Sequence, residues 1–141
     1  MSPPGVHVRL GMLLRQAHRH AARAFAEALA PLDLTPRHYG VLLVLTRDGV
    51  STQRDLIGQT GSDKAGMTRT VEDLETLGHV RRTPSPTDRR VAEIRLTDRG
   101  RAAFTEATAL AEEVGRGLFA GFTEGELATV ESVLSRLVAG E

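Results

Sequence analysis

The chain has 141 residues, a formal net charge of zero and no cysteine. That fits one compact domain and removes disulfides, thiolate metal sites and thiol-based redox sensing. Apolar residues make up 40% and charged residues 26%, with aromatics scarce at 4% and no Trp, so a core of Leu, Val, Ile, Ala and Met is expected.

No apolar run approaches a membrane span, and the first ten residues lack the apolar stretch of a signal peptide. A cytoplasmic protein without membrane contact is the expectation. The neutral total hides uneven charge. Residues 80–101 carry seven Arg against Asp88, Glu93 and Asp98, whereas residues 102–141 carry seven Glu against Arg116 and Arg136. A neutral total argues against a nonspecific basic DNA binder, yet a local basic block suits a phosphate footprint.

Helical spacing runs through residues 8–30. Leu10, Leu13, Leu14, Ala17, Ala21, Ala24, Phe25 and Ala28 share one side, and Arg9, Arg15, Arg19, Arg23 and Glu27 the other. Pro31 closes this helix. Thr35 is placed to cap a second helix with Pro36 at its first position. That helix is apolar almost all round to Leu45, so it should be central, and Gly49 ends it.

A short third helix is expected from Ser51, carrying Leu56 and Ile57 and stopping at Gly61. A fourth is expected from Ser62, as N-cap, to Gly78, with Met67, Val71 and Leu74 facing inward. After Gly78 the period changes to two. Val80 opens one strand, residues 91–96 form a second with Ala92, Ile94 and Leu96 on one face, and residues 84–89 are the loop between them. Thr97 can cap a fifth helix reaching about Phe119. Thr123-Glu124-Gly125-Glu126 matches a capping box for a sixth, whose stripe is Leu127, Val130, Leu134, Leu137 and Val138. The predicted fold is mainly α with a small two-stranded β-hairpin.

A short helix, a turn at Gly61 and a second amphipathic helix form a helix-turn-helix signature, and a basic hairpin directly after it sharpens the signal. With Met67, Val71 and Leu74 inward, Ala65, Arg69 and Asp73 lie opposite, with Ser62 and Gly66 on the adjoining edge. The N-terminal end of such a helix reaches base edges. Small Ala65 and Gly66 permit close approach, Arg69 has the fork for guanine or phosphate, and Ser62, Lys64, Thr68 and Thr70 can bond either. The competing reading is that Lys64 and Arg69 are solvated surface charges. At the hairpin tip, Arg89 and Arg90 can enter a narrow minor groove. Asp88 would be repelled by phosphate if free, so its expected role is to hold a neighbouring Arg by a charge-assisted hydrogen bond. Arg81 and Arg82 add phosphate contacts or cover the strand.

Leu74-Glu75-Thr76-Leu77-Gly78-His79-Val80-Arg81-Arg82, then Asp88-Arg89-Arg90, then Leu96-Thr97-Asp98-Arg99-Gly100-Arg101 resembles the MarR (multiple antibiotic resistance regulator) family in order and spacing. Leu34-Thr35-Pro36 through Leu45 is similar to that family's second helix. The resemblance spans residues 8–138. It implies a winged helix-turn-helix repressor of bacterial type, homodimeric through its first, fifth and sixth helices, on double-stranded DNA with a pseudo-palindromic operator. The implied division is residues 1–34 and 98–141 for dimerisation and 35–97 for the DNA-binding lobe. The implied recognition helix covers residues 62–77, Asp88 matches the wing aspartate and Arg90 the wing-tip arginine. Gly66 departs from the Ser, Thr or Pro common at its position, leaving no side chain there for base readout.

A two-fold pair would bury the apolar stripe of the sixth helix and the Ala-rich first helix, and would set two recognition helices about 34 Å apart, one DNA turn. The five His residues include no His-x-x-x-His pair, so no metal or other cofactor is expected. No catalytic constellation is visible, so an enzyme is not expected. Arg15, His18, His38 and Tyr39 are candidates for a small aromatic or anionic effector of the kind similar proteins bind, against the plainer reading of packing or surface roles. The alternative function is a helical interaction module of the same fold that has lost DNA binding.

Overall fold

A computed structural model describes residues 1–140, and among these are six α-helices and a small antiparallel sheet, on which α2, α3, α4 and α5 pack. Helix α1 (Val6–Leu29) runs into a 3-10 turn (Ala30–Leu32) containing Pro31, and Asp33 reverses the chain in the left-handed region at φ 57°. Helix α2 (Pro36–Asp48) opens on Thr35. The Thr35 hydroxyl accepts from the His38 N–H at 3.4 Å, and His38 Nδ1 accepts from the Thr35 N–H at 2.9 Å. A histidine thus closes a capping box that Glu or Gln usually closes. Because Nδ1 accepts, the proton sits on Nε2, which donates to Asp73 Oδ2 at 3.0 Å.

The region after α2 differs from the sequence expectation. Ser51 does not start a helix. It lies in a third strand, β1 (Val50–Thr52), and Thr52 caps α3 (Gln53–Thr60) through a box with Asp55. Strand β1 pairs with β3 (Ala92–Leu96), which pairs with β2 (Val80–Pro84), giving the order β1-β3-β2. The expected hairpin is present, with one more strand on its edge. Three residues are too few for a period-two pattern to show.

Helix α4 (Lys64–Thr76) is capped by Asp63 and not by Ser62. The Asp63 carboxylate accepts from the Gly66 N–H at 2.6 Å, a stronger partner than a neutral hydroxyl. At the far end Gly78 takes φ 81°. The Gly78 N–H reaches the Glu75 carbonyl and the His79 N–H the Leu74 carbonyl, which satisfies the last carbonyls of the helix. Helix α5 (Asp98–Leu118) starts at Thr97 and α6 (Glu124–Ala139) at Thr123 with the expected box.

The core lies between α2, α3, α4 and the sheet. Leu42, Leu45, Leu56, Met67, Val71, Leu74 and Ile94 are fully buried, and Leu29 and Ala107 close it from α1 and α5. Helix α6 makes no substantial contact with the rest of the chain, and its Val130, Val133, Leu134 and Leu137 are exposed. No helix of the described residues is long and apolar enough to cross a membrane.

Candidate nucleic-acid interface

Burying Met67, Thr70, Val71 and Leu74 leaves the opposite face of α4 outward. Lys64, Ala65 and Arg69 are exposed there, and neither Lys64 nor Arg69 has an acidic partner among the described residues. Two other candidate contacts on this helix, Thr68 and Thr70, are already engaged, and so is Asp73. Thr68 Oγ1 donates to the Lys64 carbonyl at 2.9 Å and accepts from Gln53 Nε2 at 2.7 Å. Thr70 is buried and donates to the Gly66 carbonyl. Asp73 is outward as expected, but it holds His38, so it ties α4 to the start of α2.

Gly66 is glycine for a local reason. A Cβ there would stand 2.8 Å from Asp63 Oδ1, 3.1 Å from Ser62 Oγ and 3.2 Å from Arg37 Nη1. The cap and an approaching guanidinium fill the space. The hydroxyl of Ser62 turns to the Asp63 carbonyl at 3.3 Å.

The wing is β2, β3 and the turn between them. At its tip Asp88 Oδ1 accepts from the Arg90 N–H at 3.0 Å and from Arg90 Nε at 3.2 Å, while Oδ2 faces Nη2 at 3.3 Å. The Arg90 guanidinium, then its backbone N–H, hold the Asp88 carboxyl below the usual carboxylate range. The aspartate therefore stays ionised and sets the arginine's direction, while the Arg90 side chain remains 90% exposed. Arg89 is exposed beside it.

Arg81 and Arg82 separate by the alternation of the strand. Arg81 stands opposite Arg95 on the outer face, whereas Arg82, opposite Ile94, turns to α4. There its Nη2 meets Glu75 Oε1 at 2.6 Å. Arg82 is thus a brace between wing and recognition helix, and it neutralises a carboxylate that would repel phosphate.

Two depressions flank this arrangement. One, of about 510 Å³, lies between the start of α3 and the wing and is lined by Gln53, Arg54, Arg82, Arg90 and Ile94 among others. The other, of about 690 Å³, lies between α1, α2 and the α3–α4 turn. Its lining includes His18, Arg37 and Arg47 over apolar Leu43, Val44 and Met67.

Of the four ligand candidates, only His18 lines that second cavity. His38 is buried with both ring nitrogens bonded. The Tyr39 hydroxyl bonds Thr108 at 2.9 Å and its ring stacks on Phe104 at 5.4 Å. Arg15 is exposed on α1 outside the cavity. His38 and Tyr39 are candidates only as polar groups on a helix otherwise given to packing, and the plainer reading describes them: they serve the cap and the α2–α5 packing. Sequence reasoning missed Arg37, Gln53 and Arg54. Arg54 had a signal, since a cation in the first turn of a helix opposes the helix dipole.

A three-helix lobe with an Arg-tipped wing braced to an outward helix is a winged helix-turn-helix of the transcription-regulator class. Comparison with known proteins narrows this. Residues 32–91 match the family model described as MarR family. The HTH-type transcriptional repressor NicR of Pseudomonas putida is 27% identical over 97% of this chain and 87% of its own length. The structure of a mutant MarR from E. coli complexed with operator DNA superposes with TM-score 0.84 at 28% identity, covering 92% of this chain and 94% of that one. The structure of Bordetella bronchiseptica BpsR, whose DNA binding is regulated by 6-hydroxynicotinic acid, gives TM-score 0.87 at 26% identity over 97% and 98%. The chain is thus similar to MarR-family regulators over nearly its whole length, with the family model itself on residues 32–91.

Proposed function

We propose that this protein is a dimeric, sequence-specific transcriptional repressor that seats α4 in the major groove and the wing tip in the adjoining minor groove. The observation that carries this is the fixed, exposed Arg90 at the wing tip. It borders the same depression as Gln53, whose amide is bonded to the recognition helix. The two reading elements are thus held as one unit. Lys64, Ala65 and Arg69 face the bases or phosphates, and Arg89 with Arg90 faces the minor groove, where negative potential is concentrated. Residues 35–97 form the DNA-binding lobe, and residues 1–34 with 98–141 the dimerisation part. The operator-bound and repressor relatives support this reading.

The interaction-module alternative loses its main support. The space at Gly66 is taken by Asp63, Ser62 and Arg37, so a glycine there does not by itself favour a lobe that has given up DNA.

For the effector, the cavity lined by His18, Arg37 and Arg47 offers two guanidinium groups and an imidazole over an apolar floor, with its one acid, Asp63, committed to the α4 cap, which suits a small aromatic acid. The BpsR relative, regulated by an acid of that type, supports it.

The test uses a duplex selected from a random pool by the wild-type protein. Arg90→Ala is expected to weaken binding at least tenfold and to leave the sedimentation coefficient unchanged. Equal affinity for the two proteins would overturn the proposal. In the same titrations, aromatic carboxylates should release DNA from the wild type and not from Arg37→Ala. Release that is alike in both, or absent from both, removes the effector cavity from the reading.

A further inference from the structure

We infer that the depression between α3 and the wing seats the sugar–phosphate strand of the duplex, with Arg54 as its free cationic contact. This rests on the DNA-binding reading above. The depression, of about 510 Å³, gathers guanidinium-bearing residues from three elements: Arg54 of α3, Arg82 of β2 and Arg90 of the wing turn. No acidic residue lines it.

The three arginines are not equivalent. Arg82 is held by Glu75 and Arg90 by Asp88. Arg54 is exposed and has no acidic partner within 4.0 Å among the described residues. In the first turn of α3 its charge opposes the helix dipole, so folding does not account for it.

The geometry selects the occupant. A major groove and the minor groove beside it are separated by one sugar–phosphate strand. Two protein elements that enter adjacent grooves must therefore have that strand between them. Here the depression runs alongside α4, between the start of α3 and the wing, and both of its walls are fastened to α4. Gln53 Nε2 reaches Thr68 Oγ1 at 2.7 Å on one side, and Arg82 meets Glu75 at 2.6 Å on the other. A phosphate held by Arg54 would fix how deeply and in what register α4 lies against the bases. Such contacts position a protein on DNA without reading sequence.

The test is binding of the full-length protein to two duplexes, the selected one and one of unrelated sequence, at several salt concentrations. Arg54→Ala should weaken binding to both by a similar factor, about tenfold, and reduce the slope of log K against log salt by about one. Arg54→Lys should keep most of the slope. An unchanged slope and affinity in Arg54→Ala would overturn the inference. So would a loss confined to the selected duplex, since that describes a base contact. If Arg90→Ala loses affinity while Arg54→Ala does not, only this inference fails. If the wild type binds neither duplex, the regulator reading fails first. Arg54 is exposed, and an unchanged circular dichroism spectrum checks that each variant is folded.

Discussion

His79 occupies the joint between the recognition helix and the wing, and it is an awkward residue to bury. It is 6% exposed, and its Nδ1 has no partner. What fixes it is its backbone. The N–H closes the end of α4 on Leu74 at 2.8 Å, and the carbonyl accepts from the Thr97 N–H at 3.0 Å. The ring follows the backbone inward. Burial, then the positive charge of Arg99 and the electrostatic influence of nearby His38, lower its pKa below the ordinary 6.5. The folded state therefore resists the proton that the unfolded chain accepts. The stability linked to neutral His79 is complete above pH 6.5 and is lost as pH falls from there through the lowered folded value. The urea midpoint is expected to be level between pH 7 and 8 and to decline on going to pH 5. His79→Leu should make that decline shallower, because the leucine has nothing to protonate. Parallel pH profiles for the two proteins would show that the ring does not matter. Every other residue is the same in both proteins, so the difference isolates His79.

Among elements, the closest approach is where α5 begins against the α4–β2 turn. A Cβ on Gly100 would overlap the His79 carbonyl oxygen and lie 2.9 Å from its carbon. The obstacle is backbone, pinned by Thr97 from both sides: the Thr97 N–H on the His79 carbonyl and its hydroxyl on the Gly78 carbonyl at 2.6 Å. It cannot yield as a side chain would. Gly100→Ala should cost about 1–3 kcal/mol or more, as overpacking does. Urea unfolding at matched protein concentration checks it, and an unchanged midpoint would mean that the turn and α5 can move apart.

The helices with long stripes are legible in the sequence: α1 through its periodicity and Pro31, and α2, α5 and α6 because their threonine caps and periodicity agree. The wing is legible because its period changes at Gly78, and the pairing of Asp88 with a neighbouring arginine follows from charge alone. Strand β1 is not legible, since its three residues exist only through pairing with β3, which is remote in sequence. Nor is the engagement of Thr68 by Gln53, or of Arg82 by Glu75. Sequence spacing shows which face a residue takes, but not which neighbour from another element arrives there first.

At the scale of the molecule the question is what covers α6. A 16-residue helix without substantial packing against the rest of the chain is marginal in water. This one also exposes Val130, Val133, Leu134 and Leu137, while α1 exposes Leu10, Leu13 and Leu14 and the α5–α6 turn exposes Phe119 and Phe122. Soluble monomers rarely leave so much contiguous apolar surface in water. Charge is divided in the same way. Arg9, Arg15, Arg19 and Arg23 of α1, and Glu112, Glu113 and Glu131 of α5 and α6, have no ion-pair partners among the described residues. In the dimer proposed above, a second copy would supply both the apolar cover and the opposite charges. Its thermal midpoint should then rise with protein concentration, because association stabilises only the folded state. Leu134→Glu places a charge in the seam. It should shift sedimentation from twice the chain mass to the chain mass at micromolar concentration, and remove helical signal equivalent to about one helix as α6 loses its cover. The lobe around Leu42, Leu56 and Ile94 shares no residue with that seam, so it should stay folded. What the variant loses is simultaneous contact with two half-sites about 34 Å apart, and operator affinity should fall toward that for unrelated DNA. A Leu134→Glu protein that still sediments as a dimer and keeps its operator affinity would place the two-fold seam away from α6.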